Sequence, residues 1–434
     1  MQLICDPVLL IKKINKYFKK NKENNSKNSN FYLTTFDESN GYLKLLNLQK
    51  KKLDLFHYYS ISLKNFFAAS RIANFKFIFN NIDNNFNKVI ITWGRNKNFS
   101  SDGFFFDQYF NENSKKHKKI LWIVISLDNQ IPKKISKNIA LFINNKKSLI
   151  SVTKLFSNFV KKIFYKLMNK NLDNFSYTEE LAVLIWSNLK QIVNFSKIKK
   201  IITPYEAQPF QNYLFYQIHK YFKKVKTIGY IHATQAFPVH LFKRDGSPKQ
   251  LYAHGKDQRY HLLKFLGWKK NEVKLIPSIK VRKKDKKKYQ NIIFLPFLIH
   301  NINFYVNSLE VLFNKEHSKF SNKLTVKIHP LRLNKKKHQD LKSQIEKLIK
   351  NRKLNKDLSY CDPIILGTSS VVLEALENDL KPFHITENYI LDGYSKSLWP
   401  SIHRKVLIKD EIFQYSLIKK NNCINMKSKK INIF

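Results

Sequence analysis

The stretch DPIILGTSSVVLEAL, residues 362–376, contains a change of periodicity that indicates the fold of the chain. Its first half is a continuous apolar run, which favours a buried strand, and the apolar spacing after Ser370 favours a helix. A strand that leads directly into a helix is the repeating unit of a parallel α/β sheet. Gly367, Thr368, Ser369 and Ser370 are therefore predicted to form the turn at the carboxyl end of a strand.

The same alternation of strand and helix patterns extends to both sides of this turn. Predicted strands with helical patterns between them are NKVIITWG (87–94), KKILWIVISLD (118–128), KKIITPY (199–205), VKTIGYIHA (225–233), NIIFLPF (291–297), LTVKIHP (324–330) and KPFHI (381–385). The segment VRKKDKKKYQ (281–290) has almost no apolar residues and divides this series in two. The sequence therefore predicts an α/β protein with two Rossmann-like, parallel-sheet domains that face a cleft.

These patterns divide the chain into five predicted segments. They are a partly helical N-terminal extension (1–85), a first Rossmann-like domain (86–280), a basic linker (281–290), a second Rossmann-like domain (291–410) and a basic C-terminal tail (411–434). Within the extension, residues 8–20 have the pattern of a basic amphipathic helix. Such a helix suits either a membrane surface or packing on the first domain.

The charge of the chain points to a partner with many negative charges. The 79 Lys and Arg residues outnumber the 31 Asp and Glu residues, which gives a net charge of +48. An anionic membrane surface or a nucleic acid would attract such a chain. A/T-rich codon usage also explains many of the Lys and Asn residues, although not the low acidic count. The lysines are dispersed, in runs such as KKHKK (115–119), which favours general surface attraction over a single reading groove.

Cysteine usage and hydropathy predict a cytoplasmic protein. Cys5, Cys361 and Cys423 have neither metal-binding spacing nor the pairing of a disulfide framework. The N-terminal apolar run precedes its charges, which is the reverse of a secretory signal. No apolar run reaches the length of about 18 residues that a membrane-spanning helix needs. We expect no metal ion and no bound cofactor, since no Asp-x-Asp motif, P-loop or glycine-rich dinucleotide motif is found.

Polar residues that follow predicted strands of the second domain suggest a phosphate site. Ligands of open α/β sheets bind beyond the carboxyl ends of the strands. Main-chain N–H groups and hydroxyls of the Gly367–Ser370 turn can hold an anion, although plain helix capping explains the same residues. Lys327, His329 and Pro330 end a neighbouring strand, and a histidine N–H can donate to a phosphate oxygen.

These motifs resemble the second domain of GT-B glycosyltransferases that use nucleotide-activated sugars. KIHP (327–330) followed by DPIILGTSSVVLEAL is similar to bacterial sialyltransferases and polysialyltransferases, capsule Kdo transferases and CDP-glycerol glycerophosphotransferases. The resemblance implies that His329, Ser369 and Ser370 hold the phosphates of a CMP- or CDP-activated donor, with Glu374 as the acid near the ribose.

Segments of the first domain add to the resemblance. ITWGRNKNFSSDGFFFDQYF (91–110), PYEAQPFQNYLF (204–215) and GYIHATQAFP (229–238) resemble a family of bacterial surface-carbohydrate biosynthesis proteins. The matching segments together span about 90–390, and residues 1–80 resemble nothing that we can name. The resemblance implies a metal-independent enzyme that builds a surface polysaccharide, such as a capsule, or a lipid-linked glycan.

Sugar transfer needs a base for the acceptor hydroxyl, and three residues are candidates. Asp102 in SSDG partly matches the paired-acid–Gly motif of the sialyltransferases, with Ser101 in place of the first acid. His232 in YIHAT is placed like the His-Gly base of the glycerophosphotransferases, with Ala233 in place of the Gly. Glu206 in PYEAQ also follows a strand. Each of these residues would otherwise cap a loop or hydrogen-bond within the core.

Two classes of function remain open from the sequence. The first is a cytoplasmic glycosyltransferase, peripheral on the inner membrane, with a nucleotide-sugar donor and a glycan or lipid-linked acceptor; a CDP-glycerol-type glycerophosphotransferase is its nearest alternative. The second is a basic nucleic-acid-binding protein, which would need exposed aromatic residues interleaved with the lysines. Phe and Tyr fall mostly within core-like apolar runs, which favours the enzyme.

Overall fold

Two large sheets with helices between their strands form the fold. The computed structural model of the chain describes residues 7–12, 15, 63, 66–67, 75–80, 86–128, 130–144, 153, 156–157, 159–161, 164, 177–279, 286–352, 354–387 and 389–426. Among these residues, no helix is both long enough and apolar enough to cross a membrane.

The first sheet has eight strands in the order β1-β6-β5-β2-β7-β8-β9-β10. Its strands are β1 (Phe75–Phe79), β2 (Lys88–Gly94), β5 (Ile120–Ser126), β6 (Ile139–Asn144), β7 (Lys200–Pro204), β8 (Lys226–Tyr230), β9 (Gln250–Ala253) and β10 (Val273–Leu275). All neighbours pair in parallel except β1, which is antiparallel to β6. A two-stranded ribbon of β3 (Phe106–Asp107) and β4 (Glu112–Asn113) follows β2.

The second sheet has six strands in the order β12-β11-β13-β14-β16-β15. They are β11 (Ile292–Phe294), β12 (Thr325–Lys327), β13 (Ile364–Leu366), β14 (Phe383–Ile385), β15 (Ile402–Ile408) and β16 (Ile412–Leu417). The strands β11 to β14 are parallel, and β15 and β16 form an antiparallel hairpin that pairs with β14. The predicted α/β class with two parallel-rich sheets is therefore confirmed.

Helices connect the strands of each sheet, as expected for parallel crossovers. They are α1 (Tyr177–Ile192), α2 (Pro209–Tyr221) and α3 (Lys256–Lys264) in the first half, and α4 (Ile302–Lys315), α5 (Lys336–Asn351), α6 (Val371–Glu377) and α7 (Tyr389–Asp392) in the second. A short 3₁₀ turn, Pro330–Arg332, follows β12.

Hydrophobic burial explains why the central strands read as continuous apolar runs. Every residue of β5, sequence ILWIVIS, is buried, because helices or loops cover both faces of a parallel sheet. The sequence gives no comparable signal for the hairpin β15–β16, where Arg404 and Lys405 interrupt the apolar pattern on an edge strand.

The structure differs from the predicted segments at both ends of the chain. Strand β1 falls inside the predicted extension yet belongs to the first sheet, and Leu10 and Ile11 are buried in the same core. The Asn15 side chain donates to Phe265 O at 2.8 Å, so the described part of 8–20 packs on the protein. The predicted tail 411–434 begins with β16, and Asn425 then exchanges main-chain hydrogen bonds with Ser278 and His254.

Candidate active site

The strand order of each sheet reverses at one point, which identifies two crevices. In the first sheet the chain adds β5 and β6 on one side of β2, and then returns to add β7 to β10 on the other side. In the second sheet β12 lies on one side of β11, while β13 and β14 lie on the other. Ligands of open α/β sheets bind at the carboxyl ends of the strands that flank such a reversal.

Glu206 and His232 form a hydrogen-bonded pair at the first crevice. Glu206 follows β7, His232 follows β8, and His232 Nε2 lies 2.8 Å from Glu206 Oε1. The other carboxylate oxygen, Oε2, accepts from Gln208 Nε2 at 2.8 Å. The exposed fraction of the side chain is 6% for His232 and 20% for Glu206. Both partners of the pair are therefore fixed in orientation in a largely dry place.

The electrostatics of this pair favour an ionised carboxylate. Burial raises the pKa of Glu206, but the charge and hydrogen bond of His232 and the hydrogen bond of Gln208 outweigh burial and lower it to about 2. Because Glu206 takes the hydrogen of Nε2, the other ring nitrogen of His232 is the basic one in a neutral imidazole. That atom, Nδ1, is buried and has no hydrogen-bond partner among the described residues.

Aromatic rings line the crevice around His232. The ring of Tyr109 stands edge-on to the imidazole with centroids 4.6 Å apart, and Trp93 lies 6.4 Å from it. Trp93 also contacts Phe210, with ring centroids 5.8 Å apart and planes at 89°. Apolar walls with a few fixed polar groups are the usual composition of a small-molecule site.

A buried carboxyl, Asp107, holds the loop that carries Tyr109. Its Oδ1 accepts from the main-chain N–H groups of Tyr109, at 2.7 Å, and Phe110, at 3.2 Å. Burial raises the pKa of Asp107 to about 7, against the opposing effects of the nearby Thr92 hydroxyl and these two N–H groups. Burial and the charges of Glu206 and Asp107 raise the pKa of Tyr109 to about 12, so its hydroxyl stays protonated.

The structure places the third candidate base, Asp102, apart from this pair. Asp102 is exposed in the turn that Gly103 closes by donating its N–H to Ser100 O at 2.9 Å. Among the described residues it has no hydrogen bond or ion pair with Glu206 or His232. Its role in catalysis stays a prediction.

At the second crevice, both the backbone conformation and the packing at position 367 require glycine. Its φ of +62° is left-handed, and a Cβ built on it would lie 2.8 Å from Pro296 Cβ and 2.9 Å from the Tyr305 hydroxyl. His384 Nε2 lies 2.8 Å from Gly367 O, and burial lowers the pKa of His384 to about 4, so the neutral ring donates here. His384 of β14 therefore holds the main chain of the turn in place.

The hydroxyls of the turn have different partners. Thr368 donates to the Asp392 carboxylate, and Ser369 Oγ accepts from Val371 N at 3.2 Å, which is ordinary helix capping. The Ser370 side chain caps no N–H, and no hydrogen bond to it is found among the described residues. The helix that follows has only seven residues, so its dipole adds little to the turn.

His329 follows β12, and β11 lies between β12 and the strand of this turn, so the two predicted phosphate-binding segments do not end neighbouring strands as expected from the sequence. His329 has a local partner. Its Nδ1 accepts from Leu331 N at 3.2 Å, so a neutral ring carries its proton on Nε2. The ring stands perpendicular to Phe297, with centroids 5.1 Å apart, and the adjacent Pro296 contacts the Gly367 position. The Arg332 guanidinium lies 4.0 Å from the centre of the Phe297 ring. An imidazole N–H and a guanidinium thus flank the crevice.

The other predicted donor residues have their own contacts. Lys327 is exposed, with Nζ 5.6 Å from the centre of the Phe294 ring, and Pro330 begins the 3₁₀ turn. The Glu374 carboxylate accepts from the Tyr289 hydroxyl at 2.9 Å. Asp392, rather than Glu374, is the acid hydrogen-bonded to the turn, and no motif of the sequence pointed to it.

One segment connects the two crevices. Ser369 O accepts from the Tyr394 hydroxyl at 3.1 Å, and the Tyr394 and Trp399 rings are 5.4 Å apart. Trp399 Nε1 in turn donates to Ala236 O at 2.9 Å, four residues beyond His232. The Gly367–Ser370 turn, which we call the donor-side turn after its predicted role, is therefore joined to the His232 loop through three consecutive contacts. Among the described residues, no group of three or more His, Cys, Asp and Glu side chains is placed to hold a metal ion.

Comparison with known proteins gives only distant similarities. No protein-family model and no curated protein matches the sequence. Among solved structures, the chain is similar to a glycosyltransferase from Rickettsia africae ESF-5, with 12% identity and a TM-score of 0.32 over 71% of this chain and 81% of that one. It is also similar to S. aureus MnaA in a structure with UDP, with 11% identity and a TM-score of 0.36 over 68% and 78% of the two chains.

Proposed function

We propose that the chain is a GT-B-type glycosyltransferase that transfers a sugar from a nucleotide-activated donor, of the CMP-linked class, to a glycan or lipid-linked acceptor. The observation that carries this proposal is the pair of crevices at the strand-order reversals. One holds a fixed carboxylate–imidazole pair, and the other has the His329 imidazole and the glycine turn on either side of the loop after β11. These groups are the base and the anion-binding donors that the reaction needs.

The second crevice is the proposed donor site. The N–H of His329, the main-chain N–H groups of residues 368–370 and the Ser370 hydroxyl would hold the donor phosphate, and Arg332 adds a positive charge. As the bond to the sugar breaks, the departing phosphate gains negative charge. Hydrogen-bond donors already fixed at that position stabilise the charge without reorganising. Thr368 and Ser369 would act by shaping the turn, since their hydroxyls are hydrogen-bonded to the Asp392 carboxylate and to Val371 N.

The first crevice is the proposed acceptor site, with His232 as the base. His232 Nδ1 would take the proton of the attacking acceptor hydroxyl, and Glu206 would hold the ring and stabilise the imidazolium that forms. Because Tyr109 lies against the ring, the acceptor must displace Tyr109 or enter past its edge. The Trp93 and Phe210 rings offer an apolar wall for the acceptor.

Separate loss of donor binding and of chemistry would test both assignments. We expect His329→Ala and Ser370→Ala to weaken CMP binding in calorimetric titration by about tenfold or more each, since each removes a hydrogen bond to a charged group. His403→Ala, an exposed histidine on edge strand β15, is the matched control and should bind CMP normally. Unchanged CMP affinity in His329→Ala would refute the donor site.

Variants of the Glu206–His232 pair should lose activity and keep their affinity for CMP. We expect His232→Ala to lose about 10²- to 10⁴-fold in kcat while it keeps CMP affinity, as for removal of a general base. Asp102→Asn should keep its rate if the pair is the base. A large rate loss in Asp102→Asn with a normal rate in His232→Ala would transfer the role to Asp102.

Glycerophosphate transfer from CDP-glycerol is a second candidate function. The Glu206–His232 pair favours it, because His232 follows a strand, as does the base of the glycerophosphotransferases in the resemblance described above. A thermal-shift panel with CMP, CDP, UDP, GDP and their conjugates, including CDP-glycerol, separates the candidates, since a bound ligand stabilises the fold by mass action. Selective stabilisation by CDP-glycerol would support the second function.

A further inference from the structure

Three lysines begin neighbouring strands at the edge of the first sheet opposite the Glu206–His232 pair. Lys88, Lys200 and Lys226 are the first residues of β2, β7 and β8, and they are in register with one another. Neighbouring strands lie about 4.8 Å apart, so the three side chains emerge side by side. Like charges placed directly opposite each other destabilise a sheet.

The positive charges at this edge repel one another. Burial lowers the pKa of Lys200, and the charges of Lys88, Lys226 and Lys274 lower it further. No ion pair of Lys88 or Lys226 with a carboxylate is found in the part of the chain that the structure describes. A partner that brings negative charge would relieve this repulsion.

A shallow concavity of about 460 Å³ lies next to this row. It is lined by Lys88, the run KKHKK (115–119) and Ile120, the first residue of β5. All four lysines of the run are exposed. The nearest acid in the described ion pairs is Glu112, which lies 3.5 Å from His117. Several ammonium groups therefore face one recess that holds little negative charge.

An exposed aromatic residue stands at the other end of the row. Tyr221 ends α2 just before β8, is 58% exposed and stacks on Trp186 with ring planes 14° apart. Lys220 and Lys190 lie over these rings, at 5.1 Å from Tyr221 and 5.7 Å from Trp186. Aromatic rings with adjacent lysines are the residues that favour the boundary between water and lipid.

We propose that this edge binds the phosphate groups of an anionic membrane surface. We call it the amino edge and define it by seven lysines, namely Lys88, Lys115, Lys116, Lys118, Lys119, Lys200 and Lys226. The residues that define the amino edge are lysines, which act as point charges, and none of them is an arginine, whose guanidinium reads base edges through two hydrogen bonds. A surface with many phosphate groups therefore suits the amino edge better than a nucleic acid. The inference does not depend on the proposed transferase activity. It places attachment and chemistry at opposite ends of the same strands.

Co-sedimentation with vesicles tests the proposal on the full-length protein. We expect it to sediment with phosphatidylcholine vesicles that contain about 30% phosphatidylglycerol and not with vesicles of phosphatidylcholine alone. Binding to the anionic vesicles should weaken as the salt concentration is raised. A variant with Lys115, Lys116, Lys118 and Lys119 changed to Gln should bind about 600-fold more weakly, since each of the four lysines near the surface contributes roughly fivefold. The variant should melt at the wild-type temperature.

A matched variant controls for total charge. Lys336, Lys337, Lys347 and Lys350 are exposed on α5 of the second sheet, and their change to Gln removes the same four charges. This control should bind within about threefold of wild type. Equal losses in both variants would overturn the proposal, because binding would then follow net charge alone, as would failure of the wild type to bind the anionic vesicles.

Two further arms separate the sources of phosphate. Inorganic phosphate that releases the protein at an ionic strength where chloride does not would show a single-ion site in the concavity and overturn a membrane surface. Tight binding of a fluorescent DNA duplex that the 115–119 variant loses, without vesicle binding, would assign the amino edge to nucleic acid instead. The proposal is supported if the protein binds anionic vesicles, is not released by inorganic phosphate beyond the effect of ionic strength, and does not bind the duplex tightly.

Discussion

Gly367→Ala is the sharpest test of how the donor-side turn is built. The added Cβ would lie 2.8 Å from Pro296 Cβ and 2.9 Å from the Tyr305 hydroxyl, both closer than real Cβ atoms approach. Overpacking of this kind costs about 1–3 kcal/mol, and the left-handed φ of +62° costs about 1–2 kcal/mol for a residue with a side chain. We therefore expect the free energy of unfolding to fall by about 2–5 kcal/mol, measured by urea unfolding.

Gly267→Ala provides the matched control for the backbone contribution. Gly267 has a similar φ of +78°, but the nearest atom to its Cβ position is Lys243 Cβ at 3.5 Å, an ordinary contact. Its variant should lose only about 1–2 kcal/mol, and the difference between the two variants measures the steric contact. Tyr305→Phe in the Gly367→Ala background should recover part of the loss.

Gly367→Ala should also weaken CMP binding, because the turn must move away from Pro296 to admit the methyl group. Calorimetric titration at a temperature where the variant is folded measures this effect. Equal losses of stability in Gly367→Ala and Gly267→Ala, with normal CMP affinity, would refute the close approach of the two loops and its role in the donor site.

Three further predictions follow from buried polar groups. Since the pKa of Asp107 is raised to about 7 from 3.8, its charge costs stability above that range, so the stability of Asp107→Asn relative to wild type should rise by up to about 4 kcal/mol from pH 4 to pH 8 in urea unfolding. The pKa of His384 is lowered to about 4, so protonation of this residue should remove up to about 3 kcal/mol of stability as pH falls from 6.5 to 4, and His384→Gln should lose that much less than wild type over this range. Trp399→Phe leaves Ala236 O without its donor and should cost about 1–2 kcal/mol and lower kcat more than CMP affinity, measured by unfolding, steady-state kinetics and calorimetric titration.

The fold was predictable where local pattern and tertiary environment agree. The apolar run of β5 and the turn after β13 were identified because burial on both faces leaves a continuous signal in the sequence. Strand β1 was missed because FKFIF lies within a segment rich in Asn, and it pairs with β6 only through contacts distant in sequence. The hairpin β15–β16 was missed because Arg404 and Lys405 interrupt the apolar pattern of its outer strand.

The candidate site was predictable only in part, because strand ends identify positions and not partners. The sequence placed Glu206 and His232 after neighbouring strands, but only the fold shows that they meet at 2.8 Å. Asp392 acts on Thr368 from a separate helix, 24 residues further along the chain, so no local motif could indicate it. His384 was likewise hidden, since its alternation within β14 suits a core residue as well as a support for Gly367 O.

The segment that joins the crevices favours a coupled site over two independent ones. Residues 394–401 are held to the first half of the chain by Trp399 Nε1 on Ala236 O, at 2.9 Å, and by the N–H and hydroxyl of Ser401 on Asp257, each at 2.9 Å. They are held to the donor-side turn by the Tyr394 hydroxyl on Ser369 O at 3.1 Å. Each buried bond costs about 1–3 kcal/mol to leave unmade, so the turn cannot shift without either breaking the bond to Tyr394 or moving this segment against the His232 loop. A nucleotide that orders the turn would in that way also restrict the loop that carries His232, the proposed base. Because Trp399 contacts the His232 loop directly and the turn only through Tyr394, a change at Trp399 should lower kcat more than nucleotide affinity.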